Sequence, residues 1–445
     1  LIYVYFNVGT TTTSAATTTT VSPVVIIAYW SFDNVMTDSY GVYNGQLIDS
    51  AGFSPNVTNQ PYVGYGEALY MNSSMNQSFL VSTPFLDLTL KSFTIEGWIY
   101  PTIMSGDRGI FGQCQCSTCT NQCMYLIIRT NHLYIGFTSN ELSGTTILSI
   151  NTWYHIAFVY NYQIQQQILY LNGVQEAIKS NAAQSYQGKN GSIQIGSTQI
   201  NSITNFFNGY IDNVMVTTRA KAASEILRDA SLMAYYSFDL PNPTADNGPN
   251  GLNGTSLNTT TVSGRVNYAI RFITSSAYFQ SYGFYQFPYG VINSKPFSVS
   301  LWINPASISS STIVQMFGTP INNAICTNFL GTYSAATVVA QITVVSSNSG
   351  PSLLTGPFVT ANTWTHISIT YSSTNGYSLY VNGTIYGATG SWSTTSTNSL
   401  AYLFLSYYTP CIIGSSNIAY YGSIDEVYIH NRELTQSDVT SLANP

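Results

Sequence analysis

The sequence predicts an all-β fold built twice over, and three observations carry that prediction. Asn151 to Tyr160 reads N-T-W-Y-H-I-A-F-V-Y and Asn362 to Tyr371 reads N-T-W-T-H-I-S-I-T-Y. Runs of β-branched and aromatic residues of this kind fit a strand rather than a helix. Each is followed by a second shared run, Leu169-Tyr-Leu-Asn-Gly173 and Leu379-Tyr-Val-Asn-Gly383. Asn-Gly after an alternating run marks a hairpin, because type I′ turns need positive φ at both central residues. Three further markers return in the same order. Ala28-Tyr-Trp-Ser-Phe-Asp33 returns as Ala234-Tyr-Tyr-Ser-Phe-Asp239, Phe93-Thr-Ile-Glu-Gly-Trp-Ile-Tyr-Pro101 as Phe297-Ser-Val-Ser-Leu-Trp-Ile-Asn-Pro305, and Gly209-Tyr-Ile-Asp-Asn-Val214 as Gly422-Ser-Ile-Asp-Glu-Val427. The offset drifts from 204 residues at Phe93 and Phe297 to 213 at Gly209 and Gly422, so loops differ in length while strand order is kept. A repeat this long is a whole domain, not a solenoid unit.

With these five motifs in order in both halves, each half resembles a laminin G-like jelly roll of the concanavalin A-like superfamily. The resemblance covers nearly all of residues 24–445 and implies two tandem β-sandwiches, residues 24–232 and 233–445. It implies no single function, because many different sites are grafted onto this sandwich. The first half closes on a helical signal, Ala220 to Met233, and the second on Thr435 to Ala443 with a Thr or Ser cap. Ala234 opens a strand directly after the first of these, with no flexible linker, so a rigid pair is expected.

Residues 1–23 stand outside the duplication. Leu1, Ile2, Tyr3, Val4, Tyr5, Phe6 and Val8 form a nearly continuous apolar and aromatic strand, followed by a Thr/Ser/Ala tract from Thr10 to Thr20. The strand is too short to cross a membrane, which takes about 20 apolar residues. Apolar on both faces, it suits insertion into a sheet. The extended tract could reach about 35–40 Å, far enough to meet another domain or another molecule. The expectation is therefore an extended N-terminal β-strand arm that adds to a neighbour's sheet and joins subunits head to tail. A frayed tail or a remnant of a signal-peptide core is the plainer reading. There is no start Met and no full signal peptide, and the chain is taken as mature or processed.

Composition narrows the partners. Charged residues make up 7% of the chain, against about 25% in an ordinary soluble domain. The surface is then left to Ser, Thr, Asn, Gln and Tyr, to sugars, or to neighbouring subunits. A net charge of −6 with no basic run gives a phosphate backbone nothing to grip, which argues against nucleic acid. Cys114, Cys116, Cys119 and Cys123 share one loop, as C-x-C-x2-C-x3-C. The spacing admits a zinc knot, but two local disulfides in a secreted chain are the favoured reading, with three connectivities open. Cys326 and Cys411 would tie two loops of the second half together. Asn56, Asn72, Asn76, Asn190, Asn253, Asn258 and Asn382 begin N-glycosylation sequons, and the Thr tract suits O-glycosylation. All of this points to a secreted, extracellular glycoprotein.

For chemistry, the fold's glycosidase relatives direct attention to paired carboxylates, since both glycoside hydrolysis mechanisms need two of them flanking one bond. Glu67, Glu96, Glu141, Glu176 and Glu225 are isolated in sequence, and Asp425-Glu426 would face opposite sides of a strand, so an enzyme is not expected. His155 and His366 recur beside a Trp in mid-strand and read as structural, each with a fixed hydrogen bond. The resemblance allows Ca²⁺ at the sandwich rim, with Asp33 and Asp212 in one half and Asp239 and Asp425 in the other as weak candidates; these aspartates equally suit turn caps. No other cofactor is implied. Aromatic stacking faces could serve a glycan ligand, but Trp30, Trp98, Trp153, Trp302 and Trp364 read as core and only Trp392 as exposed. Two functions follow: a filament- or matrix-forming extracellular subunit, and a lectin-like glycan-binding adhesion module, with or without Ca²⁺.

Overall fold

A computed structural model describes residues 25–55, 66–180, 184–200, 203–284, 293–319, 321, 326–335, 339–346, 352–394, 400–407 and 418–445. The N-terminal arm, Asn56 and Cys411 lie outside the described residues.

The repeated runs form the expected strands. In the first half an eight-stranded sheet runs through Phe93–Pro101, with Tyr154–Asn161 on one side and Gly209–Thr217 on the other, and it faces a seven-stranded sheet. The second half repeats the plan with two eight-stranded sheets, the first running through Phe297–Pro305 between Thr365–Ser372 and Gly422–His430. The core of each sandwich lies between its two sheets. Phe93, Ile95, Ile99, Ile156 and Phe158 fill one, and Phe297, Val299, Leu301, Ile367 and Ile369 the other.

Both Asn-Gly hairpins form, with Asn172 and Gly173 at φ 51° and 81°, and Asn382 and Gly383 at 48° and 77°. The two asparagines do more than turn the chain: each side chain accepts from the backbone N–H of its half's histidine, His155 or His366, at 3.0 Å. Gly209 and Gly422 open the closing strands at φ 131° and 152°. A Cβ on Gly209 would stand 2.0 Å from the Tyr100 carbonyl, and one on Gly422 2.5 Å from that of Asn304. Only glycine fits that approach. A β-bulge follows in each closing strand, with Asn213 and Glu426 in the left-handed region at φ 47° and 50°.

The helical signals resolve as α1, Ala223–Ser231, and α2, Gln436–Leu442. Glu225 accepts from Ala222 N at 2.8 Å at the start of α1, and Thr435 and Asp438 form a capping box on α2. The strand Leu232–Tyr236 follows α1 at once and pairs with Gly422–His430.

Candidate functional site

The strand Phe93–Pro101 alternates, with Phe93, Ile95 and Ile99 in the core and Thr94, Glu96, Trp98 and Tyr100 on the outward face. Three different things lie over that face.

At one end is α1. Ile226 packs on Ala157, Val159 and Tyr170, and the Lys221 ammonium binds the carboxylates of Glu96 and, at 2.9 Å, Asp229. His155 Nε2 stands 3.9 Å from the other Glu96 oxygen. In the middle is the second sandwich. Trp98 is buried in the same hydrophobic cluster as Met233 and Leu252, and the Tyr29 hydroxyl donates to Asn213 Oδ1 at 2.5 Å and to the Pro249 carbonyl at 3.3 Å.

At the far end four aromatic residues stand in a row across four adjacent strands. Tyr210 is directly opposite both Tyr70 and Tyr100, and Trp153 lies beyond Tyr100. Ring centroids are 5.1 Å apart for Tyr70–Tyr210, 5.7 Å for Tyr100–Tyr210 and 5.4 Å for Tyr100–Trp153. Four strands at the ordinary spacing make the row about 14 Å long. Tyr70 is 39% exposed, Tyr210 and Trp153 are half-buried, and Tyr100 is buried. Burial raises the phenol pKa of Tyr100 and Tyr210, with neighbouring phenols adding to it, and Ser54 hydrogen-bonds to Tyr210. No fixed ionic charge is among the groups that shift them. The row thus offers neutral hydroxyls and ring faces.

The second copy is an internal control. In the same register it carries Arg271, Ser423 and Asn304 where the first has Tyr70, Tyr210 and Tyr100, and it keeps only Trp364. The fold forms without the three tyrosines, so the first copy's row is not a folding requirement. Trp153 and Trp98 therefore stand on the outward face and not in the core of the first sandwich. The signal was present in the paired motifs, as I-Y-P against I-N-P and G-Y-I-D against G-S-I-D. Trp392, the tryptophan expected to be exposed, is instead half-buried against the second core, and its carbonyl accepts from the Tyr371 hydroxyl at 2.9 Å.

The remaining candidates fall as follows. Cys114 pairs with Cys123 and Cys116 with Cys119, one of the three open connectivities, which leaves no thiolates for a zinc knot; Cys326 is also disulfide-bonded. Asn76, Asn190, Asn253, Asn258 and Asn382 are exposed, and Asn72 is half-buried as the cap of a short 3₁₀ turn. Asp33 accepts from Glu67 N at 3.1 Å and Asp239 from Tyr268 N at 2.9 Å, so both hold turns. Asp425 accepts from Arg265 N and Val266 N, and Asp212 from Asn213 N. These oxygens face N–H donors, and among the described residues no three His, Cys, Asp or Glu side chains gather. The set does not fit a resident Ca²⁺, which wants six or more oxygens.

The sequence placed Asp425 and Glu426 on opposite faces; the bulge puts both outward. Asp425 is opposite Trp302, and the Glu426 carboxylate accepts from the hydroxyls of Tyr235 at 2.9 Å and Tyr428 at 2.7 Å. Of the two strand histidines, His366 Nε2 has a side-chain partner, Ser300 Oγ at 3.1 Å, whereas His155 Nε2 stands 3.9 Å from Glu96; Nδ1 of both is without a partner among the described residues. No helix among the described residues is long and apolar enough to cross a membrane.

No curated protein matches the chain. Among solved structures it is similar to domain 4 of an extracellular arabinanase from Geobacillus stearothermophilus, at 21% identity and TM-score 0.36, covering 48% of this chain and 98% of that one. It is similar to the binding domain of botulinum neurotoxin serotype G at 15% identity and TM-score 0.36, covering 48% and 50%. It is also similar to domains LG4-5 of the mouse laminin α1 chain, at 12% identity and TM-score 0.27, covering 82% and 90%. A laminin G family model described as concanavalin A-like lectin/glucanases superfamily matches residues 75–227 and 279–440, and by that double match the chain belongs to the laminin G-like family of this superfamily, with two tandem jelly rolls.

Proposed function

We propose that the chain is an extracellular glycan-binding module whose ligand lies along Tyr70, Tyr210, Tyr100 and Trp153. The observation that carries this reading is the row itself, part-exposed and present in one copy only. Ring faces stack on the apolar faces of sugars while phenols and the Ser54 hydroxyl serve their hydroxyls. A row without fixed ionic charge favours a neutral oligosaccharide over an acidic one. The activity is binding rather than catalysis: Asp425 and Glu426, adjacent carboxylates, are both buried and engaged with backbone N–H and tyrosine hydroxyls. Disulfides and exposed sequons suit an oxidising, extracellular setting.

The test is a neutral-glycan array followed by calorimetry on the best ligand. Tyr70→Ala, at the exposed end of the row, should weaken binding about two- to tenfold, as one stacked ring is worth about 0.5–1.5 kcal/mol. Trp364→Ala, in the second copy, should leave it unchanged. If no neutral glycan binds, or if Tyr70→Ala binds as well as the parent, the reading fails.

A second reading has its own observation: Leu1 to Val8 has no counterpart ahead of Ala234, so the arm is an addition to the duplicated fold. In this reading the arm inserts into a neighbour's sheet and builds a filament. Negative-stain imaging of the full chain beside one lacking Leu1 to Thr20 tests it. Filaments are expected from the first and discrete particles from the second; discrete particles of one mass from both would end it.

A further inference from the structure

The contact between the two sandwiches has a donor loop and an acceptor face, and duplication has made a second set of each. The donor is the loop from Asp246 to Leu252. Its Asp246 carboxylate accepts from the backbone N–H of Tyr235, Gly248 and Leu252 at 2.7–2.9 Å, and Asn253 Oδ1 accepts from Asp246 N at 2.9 Å. Its tip presents the Pro249 carbonyl to the Tyr29 hydroxyl. The acceptor is the outward face of the first sandwich around Tyr29, Asn213 and Trp98.

The first sandwich builds the corresponding loop, one residue shorter and with most of the same bonds; Val42 N takes the place at the aspartate that Tyr235 N holds in the second. Asp38 accepts from Tyr40 N at 3.2 Å, Val42 N at 2.7 Å and Tyr43 N at 2.7 Å, and Asn44 Oδ1 accepts from Asp38 N at 3.1 Å. Ser39 N donates to Tyr29 O as Asn247 N donates to Tyr235 O. This copy of the loop docks on nothing among the described residues and is strongly apolar. Val35 is 42% exposed, Met36 44%, Tyr40 58% and Val42 50%. Four large apolar side chains exposed within eight residues mark a contact surface.

The second sandwich carries the matching face. Tyr235 stands where Tyr29 does, Trp302 in the place of Trp98, Glu426 in that of Asn213 and Tyr428 in that of Met215. The rings of Tyr235 and Tyr428 stack at 4.2 Å and both are half-buried. Trp302 is 6% exposed, and its Nε1–H has no hydrogen-bond partner among the described residues. The guanidinium of Arg265, an exposed residue, lies 4.7 Å over the indole. An orphaned buried donor under a movable cover is what a face made to receive a carbonyl-bearing loop would leave when that loop is elsewhere.

The geometry points to a second copy of this chain as the occupant: the loop Val35–Val42 of one molecule docks on the Tyr235–Trp302–Tyr428 face of the next, repeating between molecules the contact that joins the sandwiches within one. Docking moves Arg265 off Trp302 and brings a loop carbonyl to the Tyr235 hydroxyl, as Pro249 is brought to Tyr29, with the Trp302 Nε1–H beside it as a further donor. Each molecule offers one loop and one face, so the contact is head-to-tail and runs on unless it closes a ring. It rests on neither the glycan row nor the N-terminal arm.

Sedimentation velocity of the full chain tests it. Mass should grow with concentration, and the double variant Tyr40→Asp, Val42→Asp should remain monomeric at about 0.1 mM. Arg265→Ala should tighten association about three- to tenfold, a gain that misfolding does not produce. A chain lacking Leu1 to Thr20 should still associate, and Tyr70→Ala should associate like the parent. A parent that stays monomeric at about 0.1 mM, a double variant that associates unchanged, or an Arg265→Ala chain no tighter than the parent overturns the proposal. So does association that vanishes with the arm while the loop variant keeps it, which would assign assembly to the arm.

Discussion

Replacing Lys221 with leucine is expected to cost the first sandwich about 3–5 kcal/mol, the penalty for stranding a buried ion. Lys221 and Glu96 are 8% and 4% exposed, and the ammonium is the only cation paired with the Glu96 carboxylate among the described residues. Asp229 keeps Arg228 at 2.9 Å when Lys221 is gone; Glu96 keeps only a neutral histidine at 3.9 Å. At about 2–4 °C per kcal/mol for a domain of this size, the first thermal transition should fall by about 10 °C. The duplication supplies the rescue. Lys221 N donates to Thr94 Oγ1 as Leu434 N donates to Ser298 Oγ, so Leu434 occupies the position of Lys221, and Ser300 that of Glu96. The second sandwich folds with that neutral pair. Glu96→Ser combined with Lys221→Leu should then recover most of the loss, because removing both ions of a buried pair is far less costly than removing one. Calorimetry of the two variants decides it: a double variant as unstable as the single would show that shape, not charge, sets the cost.

The same comparison explains what could be read from the chain beforehand. Strand order, both Asn-Gly turns and both terminal helices were legible because each signal occurs twice, at Trp153 and Trp364 or at Asn172 and Asn382. The direction of side chains was not. All nine residues of Phe93–Pro101 are buried, since α1 and the second sandwich cover the outward side, and a strand buried on both faces shows no alternation. Trp98, Tyr100 and Trp153 were therefore indistinguishable from core. The ion network was hidden for a different reason: Glu96 is far in sequence from Lys221 and Asp229, and a lysine and an aspartate in a helical stretch look like solvated surface. The facing of Asp425 and Glu426 failed through one inserted residue, because a bulge reverses the parity on which strand reasoning depends. What the sequence did contain was the difference between copies, and the tyrosine row is visible only in that difference.

The buried histidines make a second large effect, and it is one that titration can isolate. Burial alone pushes His366 down to about 4 from its ordinary 6.5, with no neighbouring charge contributing. A base with a depressed folded pKa is protonated first in the unfolded chain, so its contribution to stability is complete above pH 6.5 and is lost as pH falls toward 4. At about 1.4 kcal/mol per pKa unit the loss is about 3 kcal/mol. Asp425 opposes it: burial raises its carboxyl to about 7, so the folded state holds a proton that the unfolded state releases above about pH 4, and that contribution shrinks as pH rises from 4 to 7. The parent's own pH curve sums both trends and separates neither. A His366→Gln variant does, because Asp425 titrates identically in both proteins and cancels from the difference. The glutamine retains a polar end near Ser300 Oγ but takes up no proton. It should be less stable than the parent at pH 7 through poorer packing against Trp302, whose ring lies 5.3 Å from the imidazole. That deficit should shrink by about 3 kcal/mol between pH 7 and pH 4, and the curves should meet or cross in acid. Parallel curves from denaturant unfolding across that range would mean that His366 is already solvated in the folded chain, and with it the strand face on which Trp302 lies.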